Sequence, residues 1–302
     1  MAQTAERIAA GPAGPAGPVP LAEGALGGAW RRYRRSRRGV LAGTVIVVAV
    51  LLALAAPLVA GYDPLAGSAD ALRPPLTPGH PMGTDHLGRD VWAQLVYGAR
   101  VSLSVGLLAA LSATLIGTAV GAVSGYAGGA VDATLMRIAE FFQTLPRLVL
   151  ALIVVAMFGA GLGRLIFVIA ILSWPQTARV VRVSFLSLRE APFVDAARVA
   201  GMGGVAIVSS EILPSALAPI IVAGSLDVAT AILLEAALGF FGLGDPNRVS
   251  WGSMLNQAQP YLRQAWWMAL FPGLAISVVV LAFNVVGDSL NEALNPRLRD
   301  AA

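Results

Sequence analysis

The sequence predicts an all-α integral membrane protein with six transmembrane helices. Of its 302 residues, 57% are hydrophobic and only 13% are charged, and the mean hydropathy is +0.73. Soluble domains carry about 25% charged residues, so this composition is typical of a chain that dissolves in lipid. Several apolar runs also reach the roughly 20 residues that a helix needs to cross a bilayer core.

The spans follow one another along most of the chain. The first run, 40–60, contains no charged residue, and the polar stretch 61–100 after it contains aspartates, arginines, prolines and glycines. We therefore divide the chain into a tail (1–38), a first transmembrane helix with its extracytoplasmic loop (39–100), and a five-helix core (101–302). The further predicted spans are 101–124, 137–159, 165–183, 214–242 and 266–286.

The basic residues before the first span predict its orientation. Six arginines lie between Arg31 and Arg38, and the positive-inside rule places such a flank in the cytoplasm. Six spans return the C-terminus to the same side. Residues 1–38 read as a disordered basic tail because Ala, Gly and Pro dominate its first part.

We expect no nucleic-acid partner, since nothing downstream resembles a base-reading module. A twin-arginine signal at 36–41 is a weaker alternative, because five more spans follow.

The missing residue types exclude several chemistries. The chain has no cysteine, which removes disulfides, thiolate catalysis and iron–sulfur clusters. All 21 basic residues are arginine, so the chain lacks the lysine of a phosphate-binding P-loop. If ATP drives this protein, another chain hydrolyses it. We expect no catalytic residue, no metal and no cofactor on this chain.

A stripe of small residues marks the second predicted span. Small residues recur at every fourth position, which places them on one helix face and lets another helix approach closely in lipid. The residues of this stripe are Ala109, Ala113, Gly117, Gly121 and Gly125.

Between the fourth and fifth spans, the segment 187–213 is too polar to insert in the membrane. Pro192 suits the first turn of a helix, and Gly201 suits its end. The pattern Asp195-Ala196-Ala197, then Gly201, then Leu213-Pro214 resembles the EAA motif of permease subunits in binding-protein-dependent ABC importers. Asp195 replaces the usual glutamate, and Glu211 occupies a position that is often apolar. The resemblance implies a coupling helix that docks into an ATPase subunit.

Four further stretches resemble the C-type subunit of the dipeptide and oligopeptide permease branch. They are 83–90 with Tyr97-Gly98-Ala99-Arg100, Trp174-Pro175 with Arg179 and Arg182, 235–244 with Ser250-Trp251-Gly252, and 284–288 with Asn295-Pro296-Arg297. The resemblance implies a type I ABC importer permease fold in a bacterial plasma membrane. It also implies a peptide substrate, a B-type permease partner, two ATPase subunits or one fused ATPase that bind ATP and Mg, and an extracytoplasmic substrate-binding lipoprotein.

Two carboxylates fall inside the fifth predicted span. Asp227 lies near its middle and Glu235 about two turns further on. A carboxylate at mid-bilayer is costly, so both should face protein or water. Either they line the peptide pathway, or they bond to neighbouring helices or to a second subunit. A carrier driven by an ion gradient through these carboxylates is the alternative function.

Arg179 and Arg182 are expected to anchor to lipid phosphates or to communicate with the ATPase.

The loops opposite the coupling segment are candidates for docking the binding protein. Asp85 and Arg89 lie in the first loop, and Asp245 and Trp251 lie in the last one. Trp251 also fits an aromatic belt at the membrane surface. Both histidines, His80 and His86, lie in the first loop, but a metal site there would need a third converging ligand.

Overall fold

The computed structural model describes residues 25–294, and every regular element in that range is helical. This confirms the predicted all-α class. The helices are α1 (Ala25–Arg35), α2 (Arg37–Leu54), α3 (Ala56–Val59), α4 (Val91–Ala127), α5 (Gly129–Thr144), α6 (Arg147–Phe158), α7 (Leu162–Leu188), α8 (Pro192–Val199), α9 (Gly204–Phe240), α10 (Trp251–Ala258) and α11 (Trp267–Leu294). Within α9, residues Ile207–Ile212 are π-helical.

Five of these helices are long and apolar enough to cross a membrane: α2, α4, α7, α9 and α11. The pair α5 and α6 passes the same test together, and counted as one span it gives the predicted six. The third span is nevertheless not the straight helix predicted at 137–159, because α5 and α6 meet at 85°. Pro146 has no N–H and forces Leu145 into an extended conformation, with φ −87° and ψ 138°.

The predicted disordered tail is wrong for its last part. Residues Ala25–Arg35 form α1, and Arg37 and Arg38 already belong to α2. Residues 1–24 lie outside the described range, so the prediction for them is not tested. Ser36 separates the two helices and caps α2, because its side chain accepts a bond from the Gly39 N–H at 3.2 Å.

The small-residue stripe of α4 packs directly against α7, as predicted. All five stripe residues are buried. A methyl group added at Gly117 would lie 2.8 Å from the Trp174 carbonyl oxygen, and one added at Gly121 would lie 2.5 Å from the Ala178 oxygen. At Gly125 the added carbon would lie 2.6 Å from Cβ of Phe185. Glycine therefore lets the two backbones touch over about two helical turns.

The bundle has two distinct ends. We call the end that carries α8 the coupling end; α1 and the turn between α4 and α5 also lie there. We call the other end the loop end; it carries residues 61–90 and α10. One buried cluster runs through the spans. A second joins the ends of α7, α8 and α9 through Phe185, Val194 and Ile212.

We predict that Gly121→Ala destabilises the protein by about 1–3 kcal/mol, because the methyl group must push α7 away from α4. The matched control is Gly273→Ala in α11, where an added Cβ meets nothing within 4 Å. That change should stabilise the helix by about 0.5–1 kcal/mol. Thermal unfolding midpoints of the purified complex measure both effects, and equal shifts would contradict the proposed contact.

Candidate coupling and docking sites

The predicted coupling segment forms a short surface helix, α8. Pro192 occupies its first position, and Asp195 lies in its first turn. The helix stops at Gly201, whose φ is +80°. The Gly201 N–H donates to the Arg198 oxygen at 3.0 Å, and the Met202 N–H donates to the Ala197 oxygen at 3.1 Å. This Schellman arrangement needs a left-handed residue, so glycine is required for its geometry.

The two faces of α8 differ in exposure. Val194 and Ala197 are buried in the second cluster and fix the helix to the bundle. Asp195, Ala196 and Val199 face outward, and Val199 is 90% exposed. Val199 and the small Ala196 are three residues apart, so they lie on the same side of the helix. A partner protein can cover this exposed apolar face.

Two arginine hydrogen bonds connect α8 to the bundle, and an ion pair within α8 orients the first arginine. Arg198 pairs with Asp195 on its own helix at 2.8 Å and donates to the Arg189 carbonyl oxygen at 3.1 Å. Arg189 in turn donates to the Gly125 carbonyl oxygen at the end of α4, at 3.3 Å. The position of α8 is therefore linked to α4 as well as to α7.

Leu213 and Pro214 lie apart from the exposed face of α8. They continue α9 directly after its π-helical stretch, where Leu213 is half-buried against the second cluster and Pro214 is exposed. Ile207 and Ile212 of the π-helical stretch pack in that cluster with Val194. Residues 195–201 and 213–214 thus lie on two elements that share one buried cluster.

The sequence reasoning missed an ion pair between α5 and α7. Arg182 Nε and Nη2 donate to the two Asp132 oxygens at 2.5 and 2.6 Å, and Ser124 donates to the same carboxylate. The prediction that Arg182 anchors to lipid is therefore wrong, because its guanidinium is engaged inside the chain. Arg179 is exposed, as an anchor requires. The sequence signal for this pair was Asp132 itself, an isolated acidic residue just after Gly128 and Gly129.

The two carboxylates of α9 contact two different helices of the same chain. Asp227 accepts a bond from the Thr177 hydroxyl of α7 at 2.5 Å. Glu235 is fully buried, and its Oε2 accepts a bond from the Ser102 hydroxyl of α4 at 2.8 Å. The Ser102 oxygen also accepts the Trp251 backbone N–H at 3.3 Å. Both carboxylates thus lie at helix contacts.

At the loop end, Asp85 organises the first loop from the inside. It is only 2% exposed, and its Oδ1 accepts the backbone N–H groups of Leu87 and Arg89 at 2.8 and 2.9 Å. Its Oδ2 accepts the Gln94 amide at 2.9 Å. The prediction of Asp85 as a docking residue is therefore wrong: a buried carboxylate that folds the loop offers no contact to a partner.

Trp251 requires the same correction. It is 3% exposed, and its indole N–H donates to the Leu95 carbonyl oxygen at 2.9 Å. Gly98 makes room for the ring, since a methyl group there would lie 3.2 Å from Trp251 Cδ1. Arg89 and Asp245 are half-buried and remain docking candidates.

The histidines are engaged in other contacts. His80 Nδ1 lies 2.8 Å from Oδ2 of Asp90, whose other oxygen caps α4 by accepting the Ala93 N–H. His86 stacks on Tyr261 with ring centroids 4.9 Å apart. Within residues 25–294, no group of three potential metal ligands converges.

Six spans with a motif-bearing surface helix at one end define the membrane subunit of a transporter. The family described as "Binding-protein-dependent transport system inner membrane component" matches residues 117–300, and "N-terminal TM domain of oligopeptide transport permease C" matches residues 25–75. The chain belongs to the first of these families. It is a multi-pass inner-membrane permease subunit, not the ATPase, of a complex with other permease and ATPase subunits.

Two relatives and one solved structure illustrate the similarity. The chain is 42% identical over 270 residues to the dipeptide transport system permease protein DppC of Escherichia coli, covering 87% of this chain and 90% of the relative. It is 38% identical over 273 residues to the di/tripeptide permease protein DppC of Pseudomonas aeruginosa, covering 88% and 90%. A chain of the inward-facing MetNI methionine ABC transporter shares the fold, with TM-score 0.56 and 22% identity over 67% of this chain and 96% of that one.

We predict that Asp132→Asn lowers the free energy of unfolding by about 1.5–3 kcal/mol, because Arg182 loses its charged partner. The control is Glu140→Gln, which removes the exposed pair between Glu140 and Arg137, 3.7 Å apart, and should cost less than about 1 kcal/mol. Denaturation of the purified complex compares the two. A smaller loss for Asp132→Asn than for Glu140→Gln would show that the α5–α7 pair does not hold the coupling end.

Proposed function

We propose that this chain forms half of the translocation pathway of an ATP-driven importer of dipeptides and oligopeptides. The exposed face of α8, formed by Asp195, Ala196 and Val199, is the observation that carries the proposal, because it offers the ATPase a fixed contact. The names of the curated relatives support a peptide substrate. The proposed partners are a B-type permease, two ATPase subunits or one fused ATPase that bind ATP and Mg, and an extracytoplasmic substrate-binding lipoprotein.

The proposed orientation places the coupling end, with both termini, in the cytoplasm. Arginines are concentrated at that end. Those of α1 and the start of α2, of the end of α7, and of α8 all lie there. The loop end would then face the binding protein with Arg89 and Asp245. The positive-inside rule favours this arrangement over its inverse.

The contacts of α8 suggest how ATP binding would move the spans. When the ATPase subunits close, they would displace α8. The bonds from Arg198 to the Arg189 oxygen, and from Arg189 to the Gly125 oxygen, would pass this displacement to α7 and α4 together. Since α4 and α7 are in backbone contact, they would tilt as one unit. Such tilting is an alternating-access transition between two packings of the bundle.

We predict that Val199→Glu weakens binding of the ATPase by at least about 2 kcal/mol, roughly 30-fold in affinity, because it places a charge in an apolar contact. Val199 is 90% exposed, so the permease itself should still fold. The control is Leu262→Glu at the loop end, where the side chain is 51% exposed and where the change should leave co-purification of the ATPase unaltered. Co-purification of the ATPase and peptide uptake in proteoliposomes are measured. Normal uptake by Val199→Glu would exclude α8 as the ATPase contact.

We also propose that Asp227 and Glu235 join helices rather than line the pathway. Glu235→Gln should keep ATP-driven uptake, because an amide oxygen can still accept the Ser102 hydroxyl, and Asp227→Asn should keep its Thr177 bond likewise. Uptake by both variants is measured in proteoliposomes with and without ATPase subunits. Loss of uptake in both variants without loss of stability would support a pathway role.

Proton-driven uptake by the wild-type chain alone would support the ion-gradient carrier.

A further inference from the structure

Helix α1 is fixed to the bundle by two side chains. The Tyr33 hydroxyl donates to the Gly39 carbonyl oxygen at 2.8 Å, and its ring packs where Gly39 and Gly43 of α2 leave space. Arg32 Nε donates to the Ala293 carbonyl oxygen at the end of α11, at 2.8 Å. Because these anchors lie on adjacent residues, the rotation of α1 about its axis is set.

Five other arginines, three on α1 and two on the first turn of α2, point away from the bundle. We call them the basic face, and they are Arg31, Arg34, Arg35, Arg37 and Arg38, all exposed. Within residues 25–294, none of them forms an ion pair. Five exposed guanidinium groups within eight consecutive residues produce a strong local positive potential, which favours an anionic ligand.

The position of the basic face indicates what kind of anion it meets. Gly39 and Val40 follow immediately and begin the apolar part of α2, so the arginines lie at the level of lipid headgroups. Trp30 is 58% exposed and stacks on Tyr33 with ring centroids 5.8 Å apart. An exposed indole beside arginines at a membrane boundary suits insertion among headgroups.

We propose that the basic face is a binding site for anionic phospholipid headgroups, held ready by Tyr33 and Arg32. A guanidinium group can donate two hydrogen bonds to the oxygens of one phosphate. Zwitterionic headgroups bind the basic face more weakly, because each also carries a positive charge that the arginines repel. The site does not depend on the proposed transport function, since it uses only α1 and the start of α2. Its role is to hold the coupling end at the membrane surface.

The test uses the full transporter complex in nanodiscs made from a mixture of phosphatidylcholine and phosphatidylglycerol. Lipids that remain after transfer to detergent are quantified by mass spectrometry. In the variant Arg31→Gln, Arg34→Gln, Arg35→Gln, we expect the retained ratio of phosphatidylglycerol to phosphatidylcholine to fall by about fivefold. Both anchors are intact in this variant, so α1 should still dock.

The control replaces the same three arginines by lysine and keeps the charge. The lysine variant should retain most of the preference for anionic lipid. The variant Tyr33→Ala keeps every arginine but releases α1 from α2, so it should lose part of that preference. An unchanged lipid ratio in the glutamine variant overturns the proposal. Loss of the ATPase from that variant with an unchanged lipid ratio would show instead that the basic face binds protein.

Discussion

Between α4 and α7 there is no room for a methyl group at Gly117, Gly121 or Gly125. Lipid tails are as apolar as leucine side chains, so helices in a membrane gain little from burying apolar surface against each other. Close contact of backbones provides dispersion energy instead, and only glycine permits it here. The span α9 packs against both helices of this pair: it contacts α7 through Asp227 and α4 through Glu235.

The coupling end is built on the same contact. Gly125 ends the glycine series and also supplies the carbonyl oxygen to which Arg189 donates. Ser124, one residue earlier, donates to Asp132, which holds Arg182 of α7. The last turn of α4 therefore contacts α5 and α7 at once, and through Arg189 it reaches α8. The proposed transmission of force through α8 requires a stiff support, and these bonds supply it.

Much of this arrangement could be predicted from the sequence, because it depends on local patterns. The small-residue stripe predicted the α4 contact, and Pro192 and Gly201 predicted the limits of α8. Contacts between distant segments could not be predicted. No local sequence pattern indicates that Asp132 pairs with Arg182, and the positive-inside rule is satisfied by an arginine at this position whether it binds lipid or an aspartate. The burial of Asp85 and Trp251 was missed because exposed and buried polar loops have similar compositions. The sharp bend at Pro146 was missed because a proline can also lie within a continuous membrane-spanning helix, as Pro175 does in α7.

The absence of cysteine in this chain permits a direct test of α8 as the ATPase contact. A single cysteine at Ala196 or Val199 would be a unique attachment point for a benzophenone maleimide on the assembled transporter. After illumination, the account predicts a cross-linked product of this chain with the ATPase subunit from both positions, and none from a cysteine at Leu262 at the loop end. Absence of that product from both α8 positions, or an equal yield from Leu262, would contradict it.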